Sequence, residues 1–116
     1  MPRLISSPTS IPVPGGKIID EYVGAVNTQT DAVSIAHMRA PGDWSEPFQT
    51  PEFDEYTLVL AGSLRIEHDG GHTDVTAGQA ILTAAGERVR YSTLEPCEYV
   101  AICLPAFTLE RVLRED

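Results

Sequence analysis

The feature that most constrains the fold is a series of short β-type segments, separated from one another by glycine, proline or aspartate. Each segment is rich in β-branched, aliphatic or aromatic residues. The segments cover residues 33–38, 56–60, 64–68, 80–83, 89–92 and 99–104. Apart from residues 108–114, no stretch keeps the helical period of about 3.6 residues. The pattern predicts an all-β barrel or sandwich with, at most, a short C-terminal helix.

The segments between these strands carry turn residues. Residues 68–72, His-Asp-Gly-Gly-His, predict a tight hairpin because their glycines supply positive φ. Residues 77–79 and 85–87 predict two more turns. Residues 1–16 contain four prolines and two glycines, a composition that excludes a helix and fits an arm or edge strand. We therefore expect one domain, with an N-terminal arm and edge strands over residues 1–30, a barrel over 31–107 and a tail or short helix over 108–116.

Charge and composition exclude several classes of partner. The chain has 8 Lys and Arg against 17 Asp and Glu, a formal charge of -9, which disfavours nucleic acid and anionic membranes. Its apolar stretches are far shorter than the roughly 20 residues that span a bilayer. Cys97 and Cys103 lie six residues apart in one predicted strand, too far for a disulfide. These observations predict a cytoplasmic protein with free thiols.

Residues 42–62 and 78–93 carry two sets of regularly spaced positions. The first set is Gly42, Phe48, Thr50, Glu55 and Gly62, and the second is Gly78, Ala84, Gly86, Val89 and Thr93. Both spacings resemble those of the two cupin motifs, and the resemblance covers residues 40–105. It implies an all-β, cupin-type (RmlC-like) double-stranded β-helix, which is a jelly-roll barrel.

Within the cupins, the triplet Phe53-Asp54-Glu55 and the run at residues 58–64 are similar to the ethanolamine-utilisation cupin proteins. Residues 86–106 add to this similarity. The resemblance implies a link to ethanolamine or amine utilisation.

The resemblance also implies a metal held by three histidines and a glutamate, yet the histidine places hold Phe48, Thr50 and Val89. Glu55 alone does not make a transition-metal site. We therefore expect the usual cupin metal to be absent or weakly bound. The sequence does not identify any other cofactor. If a metal is bound, its ligands would be Gln49, Glu52, Glu55 and His37.

The alternation of side chains along strands predicts which residues face the barrel interior. Glu55 shares its face with Thr57 and Val59, which makes it the candidate proton-transfer group. His37 shares parity with the apolar residues 33 and 35, so it is expected to point inward as a core histidine, a ligand or a base. The expected pocket residues, besides Glu55, are Trp44, Phe48, Gln49, Thr50, Thr57, Val89 and Tyr91.

Three functions remain open at this point, and whether the chain is an enzyme is undecided. The leading hypothesis is a small-molecule-binding barrel that acts on or senses a small polar metabolite. The second is a cupin enzyme, with or without metal, that uses Glu55 in acid–base chemistry. The third is a structural or partner-binding module whose site has degenerated. A homodimer is expected in each case, because the proline-rich arm and the two-sided apolar strands need a covering surface.

Overall fold

The computed structural model describes residues 1–115, in which ten strands form two antiparallel sheets. The strands are β1 (Thr9–Ile11), β2 (Ile18–Val23), β3 (Ser34–Ala40), β4 (Trp44–Ser45), β5 (Asp54–Ala61), β6 (Ser63–His68), β7 (Gly71–Thr76), β8 (Ala80–Thr83), β9 (Arg90–Thr93) and β10 (Cys97–Leu104), followed by the short helix α1 (Leu109–Val112). One sheet has the order β1-β2-β3-β10-β5-β8 and the other β4-β9-β6-β7. The all-β cupin-type barrel with a short C-terminal helix is confirmed.

The core lies between the two sheets and draws side chains from both. Val59 and Tyr99 come from the six-stranded sheet, while Leu64 and Tyr91 come from the four-stranded sheet, and all four are buried in one cluster. Along β5, Glu55 and the two residues that alternate with it are buried, and the residues between them are exposed. The predicted inward face of β5 is therefore confirmed.

The predicted turns are present. A two-residue loop, Asp69-Gly70, joins β6 to β7, and Gly78 and Gly86 have φ values of 86° and 89° at the other two turns. Gly62 has φ 78° where the chain passes from one sheet to the other, and a Cβ there would lie 2.1 Å from the Pro96 carbonyl oxygen. This corner therefore requires glycine for two separate reasons.

Three strands, β2, β4 and β7, were not among the predicted segments. β7 is polar and exposed apart from Val75, so it lacks the apolar alternation that identifies a strand. β2 carries Glu21 on its buried face, and it lies between β1 and β3 rather than at an edge. The predicted edge strand in the arm is β1.

Cys97 and Cys103 are both buried and free, as predicted from their spacing in one strand. No helix within residues 1–115 is long and apolar enough to cross a membrane.

Candidate functional site

An interior cavity of about 40 Å³ lies between the strands of the six-stranded sheet and β9. Its volume suits about three water-sized positions, so an occupant that leaves the walls unmoved has only a few non-hydrogen atoms. The polar residues that line it are Lys17, Glu21, Ser34, Glu46, Gln49, Glu55, Tyr91, Tyr99 and Arg114. This concentration of ionisable groups inside a small barrel distinguishes the cavity from ordinary core.

Glu55 enters the cavity from β5 and is buried. The Thr57 hydroxyl donates to its Oε2 over 3.4 Å. Burial raises the pKa of Glu55 to about 7, although the neighbouring Lys17 opposes this rise. Glu55 therefore changes charge near neutral pH, which is what a proton-transfer group requires.

Lys17 is the single lysine of the chain, and it immediately precedes β2 with its side chain buried inside the barrel. Its ammonium lies 3.7 Å from Glu46 Oε2 and 4.7 and 5.3 Å from the ring centroids of Trp44 and Tyr99. Burial lowers the pKa of Lys17, while Glu46 counteracts that effect. The amine is thus held in an aromatic and acidic setting.

Glu46 joins two cations at one end of the cavity. Besides Lys17, its Oε2 accepts a hydrogen bond from Nη2 of Arg114 over 3.3 Å, and Arg114 Nε donates to the side-chain oxygen of Gln49 over 3.3 Å. Arg114 comes from the segment after α1. The C-terminal segment therefore supplies part of the cavity wall.

Two tyrosines complete the polar lining. The Tyr91 hydroxyl shares a hydrogen bond with Thr83 at 3.1 Å. The Tyr99 hydroxyl is buried and has no hydrogen-bond partner within residues 1–115. The described residues thus leave one polar group of the cavity wall without a hydrogen bond. Leaving such a group unpaired costs about 1–3 kcal/mol.

Four residues predicted for the site come together there. Gln49, Glu55 and Tyr91 line the cavity, and Thr57 is buried behind Glu55, to which it donates. Trp44 is buried beside Lys17 but lines a separate outer depression of about 120 Å³.

Three other predicted pocket residues do not line the interior cavity. Phe48 faces outward, with the guanidinium of Arg88 3.9 Å from its ring centroid. Thr50 is only half-buried, and Val89 is packed in the apolar core. Gln49 and Val89 exchange two backbone hydrogen bonds of 2.9 Å in an antiparallel bridge. Because side chains alternate along the chain, Gln49 points inward there, and its neighbours point away.

The expectation that His37 points into the barrel is wrong. Ser34, Ala36 and Met38 are the residues of β3 that line the cavity, and His37 lies on the other face, paired with Glu98. Two of these three inward side chains, Ser34 and Ala36, are small, which leaves room for the cavity. His37 therefore cannot share an ion with Glu55.

Metal-ligand geometry is not evident in the described part of the chain. Glu52, another suggested ligand, is exposed, and no group of three or more His, Cys, Asp or Glu within residues 1–115 is placed to hold a metal ion. Gln49 and Glu55 still share the cavity, but they offer too few donors for a transition-metal site.

Sequence reasoning missed six polar residues of the lining, namely Lys17, Glu21, Ser34, Glu46, Tyr99 and Arg114. One usable signal was present, since a lone lysine in a chain with 17 acidic residues is an unusual feature that invites a specific role. The other five are ordinary polar, charged or aromatic residues in sequence, and only the fold brings them into one cavity with Lys17.

Comparisons with known proteins agree with this architecture. Residues 26–116 match the family described as "AraC-binding-like domain". The chain is 46% identical over 102 residues to a Myxococcus xanthus protein named endoribonuclease YbeY, and this match covers 86% of the chain. The chain spans only 35% of that relative's length.

Solved structures similar to this chain include three with TM-scores near 0.7. Clostridium difficile EutQ has a TM-score of 0.67 and 17% identity, covering 79% of this chain and 70% of its own. KdgF from Halomonas sp. has a TM-score of 0.72 and 15% identity, and the match covers 85% of this chain and 89% of KdgF. Bacillus subtilis oxalate decarboxylase has a TM-score of 0.77 and 15% identity, and the match covers 95% of this chain and 30% of the decarboxylase. At these identities the similarity establishes the fold alone.

Proposed function

Because the chain belongs to the AraC-binding-like family of cupin-type domains, we propose that its barrel binds a small polar molecule in the interior cavity. The observation that carries this proposal is the buried Tyr99 hydroxyl, which has no partner within residues 1–115, in a cavity that also contains Lys17, Glu46 and Glu55. A bound molecule that hydrogen-bonds to Tyr99 removes the cost of the unpaired group. A barrel that had lost its site has no reason to keep these groups buried, because apolar residues would be more stable there.

The charges in the cavity favour an anionic or neutral molecule over a cation. Lys17 and Arg114 already share the carboxylate of Glu46, and Glu55 is protonated in a large fraction of molecules at neutral pH because its pKa is about 7. Glu21, the third carboxyl group of the lining, accepts hydrogen bonds from two backbone N–H groups of the loop after β2. Lys17 and Arg114 are therefore the charged donors that a bound molecule meets. The similarity to EutQ makes ethanolamine a compound to test, but the electrostatics of this cavity favour small carboxylic acids.

Acid–base chemistry on the bound molecule is a second candidate function, and the position of Glu55 supports it. Its carboxyl group faces the cavity with a pKa close to neutrality, as proton transfer to a substrate requires. The endoribonuclease activity named for the M. xanthus relative is less favoured, because a formal charge of -9 opposes the approach of RNA phosphates.

Replacing Tyr99 by phenylalanine tests the binding proposal. Small acids such as acetate, glyoxylate and pyruvate, together with ethanolamine, are titrated while the fluorescence of Trp44, the single tryptophan, and the melting temperature are recorded. We expect at least one compound to bind, and Tyr99→Phe to weaken it about threefold to tenfold by loss of one hydrogen bond. Without ligand, the variant should melt at the wild-type temperature or higher, since an unpaired hydroxyl is removed.

The matched control is Tyr22→Phe, because Tyr22 is an exposed residue of β2. Tyr22→Phe should change neither the affinity for the compound nor the melting temperature. A Tyr99→Phe protein that melts lower but binds as tightly as wild type would show that Tyr99 serves stability alone. Absence of binding by every compound would favour the degenerate module.

We further propose that a second copy of the chain covers the outer face of the six-stranded sheet. Five large apolar side chains are exposed on that face, namely Tyr56, Leu58, Leu60, Leu82 and Leu104. They belong to the neighbouring strands β8, β5 and β10 and form an apolar surface that can pair with itself across a two-fold axis.

Light scattering is expected to give the mass of two subunits for the wild type. Leu58→Asp should shift the mass to one subunit, because it places a charge in the centre of the apolar face. Leu94→Asp is the control, since Leu94 is exposed between β9 and β10 and outside this face. A wild-type mass of one subunit at micromolar concentration would contradict the dimer.

A further inference from the structure

Lys17 is an unusual lysine, because this chain has no other and places it inside the barrel. Lysines are almost never fully buried unless they are paired. Here the pairing is incomplete, since the one carboxylate that contacts it within residues 1–115, that of Glu46, lies 3.7 Å away and also binds Arg114. Lys17 therefore does not act as a surface charge that keeps the protein in solution.

Lys17 lies between the interior cavity and a depression of the outer surface. Lys17, Glu46 and Arg114 line the interior cavity and also the outer depression beside Trp44. The three side chains thus form the partition between the solvent side and the barrel interior. A molecule that enters from the depression meets the amine before it meets Glu55.

Resting on the proposed function, we infer that Lys17 forms a reversible imine with a small oxo acid, whose carboxylate pairs with Arg114. An oxo acid such as glyoxylate combines a carbonyl group for the amine with a carboxylate for the guanidinium. Its few non-hydrogen atoms also suit a cavity of about 40 Å³. Arginine is well suited to the second role, because its planar donors match a carboxylate.

The surroundings of Lys17 suit the chemistry of imine formation. Only the neutral amine attacks a carbonyl, and burial favours that form by lowering the pKa of Lys17. In the first step Nζ bonds to the carbonyl carbon, the carbonyl oxygen takes one proton and the nitrogen loses one, which gives a neutral carbinolamine. In the second step the hydroxyl takes a second proton, the carbon–oxygen bond breaks, water leaves, and the nitrogen loses its remaining proton. Glu55, with a pKa of about 7, can donate and accept these protons.

The atoms balance without an oxidant or a reductant. One amine and one carbonyl compound give one imine and one water molecule. Glu55 ends in its starting protonation state, so the site is restored when water hydrolyses the imine. The product is therefore a reversible adduct.

Reductive trapping tests the inference directly. Wild-type protein is incubated at neutral pH with glyoxylate and cyanoborohydride, which reduces an imine to a stable secondary amine, and the modified residue is located by peptide mapping. Free Nα-acetyl-lysine in the same solution reports the intrinsic reactivity of an amine. We expect Lys17 to be modified at least about tenfold faster than this reference. An unmodified Lys17, or one modified no faster than the reference, would overturn the inference.

Variants separate the two parts of the inference. Lys17→Arg keeps the positive charge but has no primary amine, so the adduct should disappear from the mapped peptide. Acetaldehyde, which lacks the carboxylate, should react with Lys17 less selectively than glyoxylate, and Arg114→Gln should reduce the difference. Equal selectivity for both aldehydes in the wild type would overturn the assignment to oxo acids.

The outcome is distinguishable from failure of the proposed function. If Lys17 stays unmodified while small acids still bind in a manner that depends on Tyr99, the cavity is a binding site and only the imine is refuted. If no compound binds and no adduct forms, both proposals fail together.

Discussion

Gly62→Ala is expected to lower the free energy of unfolding by at least about 3 kcal/mol. The residue has φ 78°, and a Cβ would lie 2.1 Å from the Pro96 carbonyl oxygen and 3.1 Å from the Cys97 Cα. These are backbone atoms, so no side-chain rotation relieves the contact. The corner between β5 and β6 would have to move away from the loop before β10.

Gly86→Ala is the matched control, because Gly86 has φ 89° and a Cβ there would meet no atom of residues 1–115 within 4 Å. It should cost only the backbone term of about 1–2 kcal/mol. Urea denaturation of both variants measures the difference. Equal losses would show that backbone conformation alone, and not the close approach of the two loops, makes glycine necessary at position 62.

The free energy of unfolding of the wild type is expected to fall by about 3 kcal/mol as pH rises, and Glu55→Gln is expected to abolish this fall. Burial raises the pKa of Glu55 from 4.5 to about 7, so between these values the native state binds more protons than the unfolded state. The free energy of unfolding of the wild type therefore falls as pH rises through this range, and the loss is complete above about pH 7. Glutamine cannot ionise, so the variant should lack this fall.

The comparison is made by urea denaturation at about pH 5 and about pH 8. The two proteins should have similar stability at the lower pH, and the variant should be more stable at the higher pH. Lys17, Glu46 and Arg114 act on Glu55 and are present in both proteins. Glu52→Gln, at an exposed position in the preceding loop, is the control and should keep the wild-type profile. A Glu55→Gln protein whose stability falls with pH as steeply as wild type would contradict the burial argument.

The barrel could be predicted because its signals are local. Apolar alternation identified β5 and β10, and glycines at fixed positions identified the turns. β7 was missed because its surface is polar. Local pattern also indicated the inward position of Glu55, since its partners along β5 include the buried Val59.

The site was predictable only in part, because its charges come from distant segments. Lys17 lies before β2, and Arg114 lies after α1, yet both contact Glu46. Motif spacing predicted that Phe48 and Thr50 point inward. The antiparallel bridge between Gln49 and Val89 instead turns the Gln49 side chain inward and its two neighbours away from the cavity. Neither a bridge nor a long-range ion pair leaves a periodic trace in sequence.

These positions also explain how a barrel without the usual cupin histidines retains a polar interior. Phe48 and Thr50 do not line the cavity, so their side chains take no part in it. Two charged groups, those of Lys17 and Arg114, instead come from near the two ends of the chain and share the cavity with Glu55. The polar interior is thus formed by an amine, a guanidinium and three carboxyl groups, those of Glu21, Glu46 and Glu55.

The central claim, that the cavity is a binding site, is tested most directly by a crystal structure of the wild-type protein with the small acid that binds it most tightly. We predict electron density for the acid inside the barrel, with one of its oxygens within hydrogen-bond distance of the Tyr99 hydroxyl and its carboxylate near Arg114. Density for the acid only on the outer surface, with the Tyr99 hydroxyl hydrogen-bonded to water alone, would contradict the account.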